Sequence, residues 1–385
     1  MPTLDDRLNE ILGRNADHVV SEQSDRVRGL VSSRGGSIII FGAGRLGRDV
    51  LDGLKRTGIQ PLAFADNNPA SWGKAVDGLK VISPKEAAAY TGKAVFVTGV
   101  YTSEPLRKQL LGMGVDVITF PQLAWAYPDA FLPHCAVEHP YSIFKNASDV
   151  RAAMSLWADE ESKREYAGQL DWRTSLDPEA LPPHRPADET YYPEDLAVPA
   201  ANEVFVDCGA FDGDSIRDFI ERRNGDFRKA IAIEPDPTNA GGLKSFIEGL
   251  PGEVAGKIEV MNYAVGDCRE TVKFDASGTV QSSMGSGSYE AQCVLLDDLI
   301  SEESPTYLKM DIEGAEIDAL KGALLTITHN APLLAICVYH RQEHLWQVPL
   351  LIASMSDKYK LFLRRYSDEC WEMVCYAIPI SRCKV

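Results

Sequence analysis

Apolar and polar positions along this chain follow two rhythms, one helical and one strand-like, and their alternation outlines two sheets. Residues 4–31 place Leu4, Leu8, Ile11 and Leu12 at helical spacing, so an opening helical segment is expected over residues 1–34. SIIIFGAGRLGRDVLDGLKRTG follows, with an apolar run at 37–41, a glycine turn and an amphipathic helix. PLAFAD (61–66), AVFVTG (94–99) and VDVITF (115–120) read as further strands separated by helical or loop segments. Alternation at this spacing makes βαβ units and a parallel sheet. Residues 35–122 are therefore expected to form a small Rossmann-like domain.

A second series begins at residue 203. Strands are expected at 203–207, 230–234, 257–262, 306–311 and 333–339, with helices near 213–223, 237–249, 314–328 and 343–357. The end changes character: KLFLRRY (360–366) and WEMVCYAI (371–378) are four residues apart, which suits an antiparallel hairpin and not a helical crossover. The fold class is α/β, with two Rossmann-like domains, the second (201–385) a seven-stranded sheet closed by that hairpin. Ten of the 22 prolines fall between 121 and 200, which excludes long helix or sheet over most of that stretch. Residues 123–200 read as an ordered connector with one helix at about 146–167, because their aromatic content is unlike a solvated linker.

Composition narrows the partners. A length of 385 residues calls for two cores, and 45% hydrophobic with 25% charged content is that of a globular protein. A formal charge of −17 argues against nucleic acid and against an anionic membrane surface, and leaves neutral or cationic small substrates open. No apolar run approaches a membrane span, and the acid-rich N-terminus has no signal core. The eight cysteines are scattered without a CxxC pair, and Cys208, Cys293, Cys337 and Cys375 lie in strand-like runs, so a reducing cytoplasm is expected. The apolar stripe on residues 4–12 suggests a homodimer.

The candidate chemistry sits at strand ends. In EVFVDCGAFDGDS, Asp207 closes a strand, and Gly209, Ala210, Phe211 and Gly213 form a turn into a helix whose free N–H groups suit a carboxylate. Phe211 stands where a pyrophosphate-binding turn has its middle glycine, which favours S-adenosyl-L-methionine (SAM) over a dinucleotide. Glu234, followed by Pro235, closes the next strand at the spacing of about 20–30 residues at which an acid binds ribose hydroxyls. In NYAVGD, Ala264 and Val265 would lie against adenine, and Asp267 either accepts from its amine or belongs to a plain turn. Asp311 and Glu313 lie at the rim with a substrate or cofactor role, while Glu316 reads as a carboxylate favoured by a helix dipole. His340, ending the fifth strand, is a candidate base or acceptor ligand, with a packing role as the alternative. Asp311, Glu313 and His340 could converge, but no tight ligand spacing announces a metal, and none is expected.

In FGAGRLG, Gly42, Gly44 and Gly47 form GxGxxG between a strand and a helix, and Asp66 closes the next strand. This second nucleotide site stands beside a plainer alternative, a domain kept for dimerisation or for shaping a cleft. An NAD-dependent sugar oxidoreductase would use that fingerprint, yet the N-terminal half has no YxxxK pair. A non-catalytic nucleotide-binding scaffold is the other rival.

DCGAFDGDS, AIEPDP, YAVGD and YLKMDIEGAEIDALKGA, in that order, resemble the FkbM family of SAM-dependent methyltransferases over about residues 200–378. The resemblance implies O-methylation of a sugar, glycan or natural-product hydroxyl. It also implies that Asp207, Gly209 and Glu234 bind SAM, with Asp311 and Glu313 where cofactor meets acceptor. FADNNPASWGKAVDGLKVISP is similar to the nucleotide-sugar-binding domains that accompany sugar-modifying transferases.

Overall fold

A computed structural model describes residues 3–101, 103–134, 137–274 and 289–385. The chain divides into two compact units: residues 1–147, 167–184 and 367–371, and residues 148–166, 185–366 and 372–385. The stretch 123–200 is shared between them.

The first unit contains β1 (Ile38–Phe41), β2 (Ala63–Ala65), β3 (Ala75–Val76), β4 (Leu79–Ile82), β5 (Val95–Thr98) and β6 (Asp116–Ile118), in the order β3-β4-β2-β1-β5-β6. All pairs are parallel except β3 with β4, a short hairpin that the sequence pattern does not reveal because its strands are only two and four residues long. β1 and β5 are buried along their whole length, which is why they read as unbroken apolar runs. The opening helical segment is two helices, Leu4–Leu12 and Ala16–Ser33, parted where Asn15 caps the second. Leu8 and Ile11 of the opening apolar stripe are buried.

The second unit contains β7 (Val204–Cys208), β8 (Lys229–Ile233), β9 (Ile258–Met261), β10 (Ala264–Val265), β11 (Glu270–Phe274), β12 (Tyr289–Val294), β13 (Tyr307–Met310), β14 (Leu333–Cys337), β15 (Tyr359–Arg365) and β16 (Met373–Pro379). Seven of them form one sheet in the order β15-β16-β14-β13-β7-β8-β9, parallel from β14 to β9, with β16 antiparallel to both β14 and β15. The terminal hairpin thus inserts its second strand between its first and the parallel body. A separate sheet, β10-β12-β11, was not expected from the pattern, since β10 has only two residues.

Two expected helices are broken, each for a local reason. The helix foreseen at 146–167 is Ala147–Met154 and Glu160–Ser175, because Trp157 bridges to Leu361 and Asp159 accepts from Ser162 N at 2.8 Å to start a new helix. The helix foreseen at 314–328 is Glu316–Lys321 and Leu324–Asn330. Between them Gly322 touches the Gly266 carbonyl so closely that a Cβ would lie 1.9 Å from it.

Candidate active site

β7 is the first parallel strand of its sheet, and the chain winds outward from it in both directions, to β8 and β9 on one side and to β13 and β14 on the other. Ligands bind open α/β sheets at the carboxyl ends beside such a switch point. A cleft of about 950 Å³, its open mouth included, lies there. Gly209, Phe211, Ile233, Glu234, Pro235, Asn239, Tyr263, Ala264 and Val265 line one part, and Tyr191, Asp214, Lys309, Asp311, Ile312, Glu313 and Ala315 line the rest.

The glycine turn is built by close approach. Gly209 has φ +82°, and a Cβ there would sit 1.9 Å from the Asp311 carbonyl oxygen. Gly209→Ala should therefore lower stability by about 2–3 kcal/mol, read as a drop in the urea midpoint; an unchanged midpoint would contradict this packing. Gly213, at φ +89°, begins the helix Asp214–Arg222 and is pressed by Leu243. Phe211 reaches the cleft with φ +46°, whereas Ala210 is fully buried beneath it.

Glu234 is held in place by backbone. Phe211 N donates to its Oε2 at 2.9 Å and Asp236 N to its Oε1 at 2.8 Å, the Asn239 side chain adds a further bond, and the carboxylate still has lone-pair capacity for a ligand. Burial pushes its carboxyl above the usual range against those bonds. The first unit repeats the device. Asp66 Oδ2 accepts from Ala43 N at 2.9 Å and its Oδ1 from Asn68 N at 2.8 Å. There Gly42 (φ +110°) lies against Gly99, Gly47 has no room for a Cβ beside the Gly42 carbonyl, and Gly44 caps the helix Arg45–Arg56 in open space.

Several expected site residues stand elsewhere than their spacing suggested. Asp207 does not reach the cleft. It lies within β7, one residue before the strand's end, and register sets it opposite Lys309 on β13. Its Oδ1 accepts from Lys309 Nζ at 2.8 Å and its Oδ2 from the Ser215 hydroxyl, and it is wholly buried. Burial lifts this carboxyl above its ordinary value against Lys309 and Ser215; Lys309, where burial is outweighed by Asp207 and Asp311, is held protonated. Asp207 thus fixes the cation that lines the cleft. Asp267 is exposed, 4.0 Å from Lys321 Nζ, and does not line the cleft.

His340 is not poised as a free base. Its Nδ1 lies 2.7 Å from Glu316 Oε1, and its Nε2 lies 3.2 Å from Asp311 Oδ1 and 3.7 Å from Glu313 Oε2. Burial would lower its basicity, but Glu316 and Asp311 raise it well above the ordinary value, and a protonated ring accepts nothing. Glu316 is more than a dipole partner. It is fully buried, accepts from Ile312 N at 3.0 Å, and sets its Oε2 3.1 Å from His344 Nδ1. Its carboxyl is held below the ordinary range because His340 and His344 overcome burial. Asp311 lies at about 2, where His340, Lys309 and Tyr191 outweigh burial, and burial pushes Glu313 up to about 7 despite His340.

Three groups at this site were not anticipated. Tyr191 donates its hydroxyl to Asp311 Oδ2 at 2.7 Å, and the Lys309 ammonium lies 5.0 Å from its ring centre. Its backbone is left-handed at φ +67°, tied by Tyr191 N to the Tyr376 hydroxyl at 3.0 Å. Glu372, just before β16, is pushed to about 7 by burial and by Asp311. The third, Lys309, was missed although a signal could have found it: a lone cation in a buried strand requires a buried anion. TYY at 190–192 is similar to a string in long FkbM relatives, as is LDWR near 170, but nothing local marks Tyr191 as a partner of Asp311, and Glu372 carries no local signal.

Parallel order, a glycine turn, a fixed acid on the next strand and an acid-lined rim are consistent with the folds of Rossmann-like methyltransferases. Residues 207–370 match the Methyltransferase FkbM domain, so the chain carries an FkbM methyltransferase domain. Residues 36–118 match the family described as C2185-like, N-terminal. No curated protein matches the chain. The crystal structure of methyltransferase FkbM from Methylobacillus flagellatus KT is similar in fold, at 23% identity and a TM-score of 0.79 over 96% of this chain and 99% of that one. Precorrin-6y C5,15-methyltransferase from Geobacter metallireducens GS-15 gives 10% identity and a TM-score of 0.29 over 46% of this chain and 80% of its own. UDP-D-quinovosamine 4-dehydrogenase from Vibrio fischeri gives 22% identity and a TM-score of 0.18 over 22% of this chain and 75% of its own. Scores this low carry no argument. Among the described residues no helix is long and apolar enough to cross a membrane.

Proposed function

We propose that the second unit transfers a methyl group from SAM to a hydroxyl of a small-molecule or glycan acceptor. The observation that carries this reading is Glu234: a carboxylate fixed by two backbone N–H bonds beside a glycine turn, with lone pairs left for a ribose diol. The fit is supported by the Gly209 turn, which a side chain would close, and by Ala264 and Val265 as an apolar floor for a flat ring. When bound, SAM supplies an electrophilic methyl carbon on a positively charged sulfur.

Asp311 is the residue assigned to the acceptor's proton. The Asp311 carboxylate would accept the proton of the acceptor hydroxyl as that oxygen is methylated and pass it on to solvent. Tyr191 and His340 bond one Asp311 oxygen each and so fix its plane. Lys309, anchored on Asp207, supports the negative charge of Asp311 from below. Most of the acceleration would come from orientation, with the residues at this end of the cleft holding the acceptor hydroxyl in place for transfer.

Titration calorimetry of the whole chain with S-adenosylhomocysteine (SAH) tests the reading. Micromolar binding is expected, with Glu234→Ala weakening it by about 10–100-fold, as losing two charge-assisted hydrogen bonds implies. Absence of any heat at saturating ligand, in protein shown to be folded, would reject it.

A further inference from the structure

We propose that the acceptor end of the cleft holds a divalent cation of the Mn2+ or Mg2+ type, coordinated by Asp311 Oδ1, Glu313 Oε2 and His340 Nε2. The sequence spacing gives no sign of it, because the imidazole comes from beyond β14 and the two acids from the turn after β13. The fold brings them together: His340 Nε2 is 3.2 Å from Asp311 Oδ1 and 3.7 Å from Glu313 Oε2. A cation with bonds of about 2.1 Å sets neighbouring ligand atoms roughly 3.0–3.4 Å apart; the Asp311–His340 pair already stands at that spacing, and the Glu313 carboxylate, 3.7 Å from the ring nitrogen, would move in to complete the set.

The far side of the ring is arranged as metal sites are. Histidine ligands nearly always give their second ring nitrogen to a carboxylate, which fixes the tautomer and makes the coordinating nitrogen more basic. Here Glu316 Oε1, fully buried, lies 2.7 Å from His340 Nδ1 and assigns the proton to that nitrogen. Glu316 also accepts from Ile312 N at 3.0 Å, so the same carboxylate steadies the loop that carries Asp311 and Glu313. Glu313 is left-handed at φ +56° and Gly314 at φ +102°, a turn that folds the Glu313 carboxylate back toward the imidazole.

Charge points the same way. Asp311, Glu313 and Glu316 surround one imidazole, and the Lys309 ammonium beside them is bound to Asp207 and to the Gly209 carbonyl. Arg341 stands exposed against Gly314. A proton on Nε2 brings one positive charge against three negative ones, whereas a divalent cation that displaces it brings two, takes the place of the His340–Asp311 hydrogen bond in fixing Asp311, and binds Asp311 and Glu313 together. Oxygen-rich donor sets with a single imidazole suit Mn2+ and Mg2+, with the remaining positions left to water and an incoming hydroxyl. This deepens the reading of the cleft as a hydroxyl-methylating site and rests on it for the role of the cation, though not for its binding.

The test is a Mn2+ titration of the chelator-stripped whole chain, followed by the electron paramagnetic resonance signal of free Mn2+. One ion per chain is expected. Glu313→Gln and His340→Gln should each weaken binding at least about tenfold, and Glu316→Gln by about 10–100-fold through the ring it orients. Glu104→Gln, in the separate Glu104, His184 and Asp368 cluster of the first unit, should change nothing. No uptake by the wild type at about 1 mM Mn2+, the weak end of protein sites, would overturn the proposal, as would uptake indifferent to Glu313→Gln and His340→Gln or abolished by Glu104→Gln. Should His340→Gln fail to fold, Glu313→Gln decides, since that side chain lines the open cleft. SAH calorimetry on the same samples separates the two readings. SAH binding without Mn2+ uptake rejects the cation alone, and Mn2+ uptake without SAH binding rejects the cofactor alone.

Discussion

Lys309→Met is expected to destabilise the second unit by about 3–5 kcal/mol, the usual consequence of stranding one member of a buried ion pair. Lys309 and Asp207 stand opposite each other on β13 and β7, both essentially inaccessible to water, and Lys309 Nζ also donates to the Gly209 carbonyl at 2.9 Å. Methionine keeps the length of the side chain and removes the charge. Asp207 would then have to be buried as a lone carboxylate or take up a proton. Urea unfolding measures the loss, and Asp207→Asn in the same chain should recover roughly half of it by removing the stranded charge. A Lys309→Met protein as stable as wild type would mean that the pair is not formed as described.

Asp311→Asn is expected to reduce turnover by about 10²–10⁴-fold, the range associated with a positioned general base. Asparagine keeps the shape of the side chain and can still meet the Tyr191 hydroxyl, but it takes no proton from an acceptor. SAH affinity should change by less than about tenfold, because Glu234 and the Gly209 turn lie at the other end of the cleft. The informative measurement is SAH formation under single-turnover conditions beside SAH calorimetry on the same preparation. Turnover within threefold of wild type would remove Asp311 from the proton's path.

Much of the fold was legible because buried parallel strands write themselves plainly. IIIF and LLAIC are continuous apolar runs, and VFVDC is broken only by Asp207, so each can only be covered on both faces. The terminal hairpin was legible from its four-residue interval, and β16 does pair antiparallel with β15. Elements of two residues were not, since β3 and β10 are too short for any period. Within the cleft, the glycine turn, Glu234, Asp311 and Glu313 could be marked from strand ends alone. Asp207 could not be placed, because a shift of one position along a strand decides whether a side chain crosses the rim or lies against the sheet. His340 was found as a rim residue, but the charges that protonate it come from Glu316 and Asp311 on other elements. The role of Tyr191 was invisible for the same reason, since its hydroxyl acts on a residue 120 positions away.

That tyrosine has a consequence for how much chain the second unit needs. Arg185 is clamped by Glu161 and Asp195 at 2.7 and 2.9 Å, and six residues on Tyr191 reaches Asp311. Earlier still, Asp159 pairs with Arg364 and Ser162 accepts from Leu363 N at 2.9 Å along β15. A shortened gene product starting at residue 201 would retain the strand-end motifs of the second unit yet lack the Tyr191 phenol over Asp311 and the stitching along its edge strand. Excision of this region for expression should begin before Ser148; a cut at the motif boundary would yield a sheet with an unguarded margin.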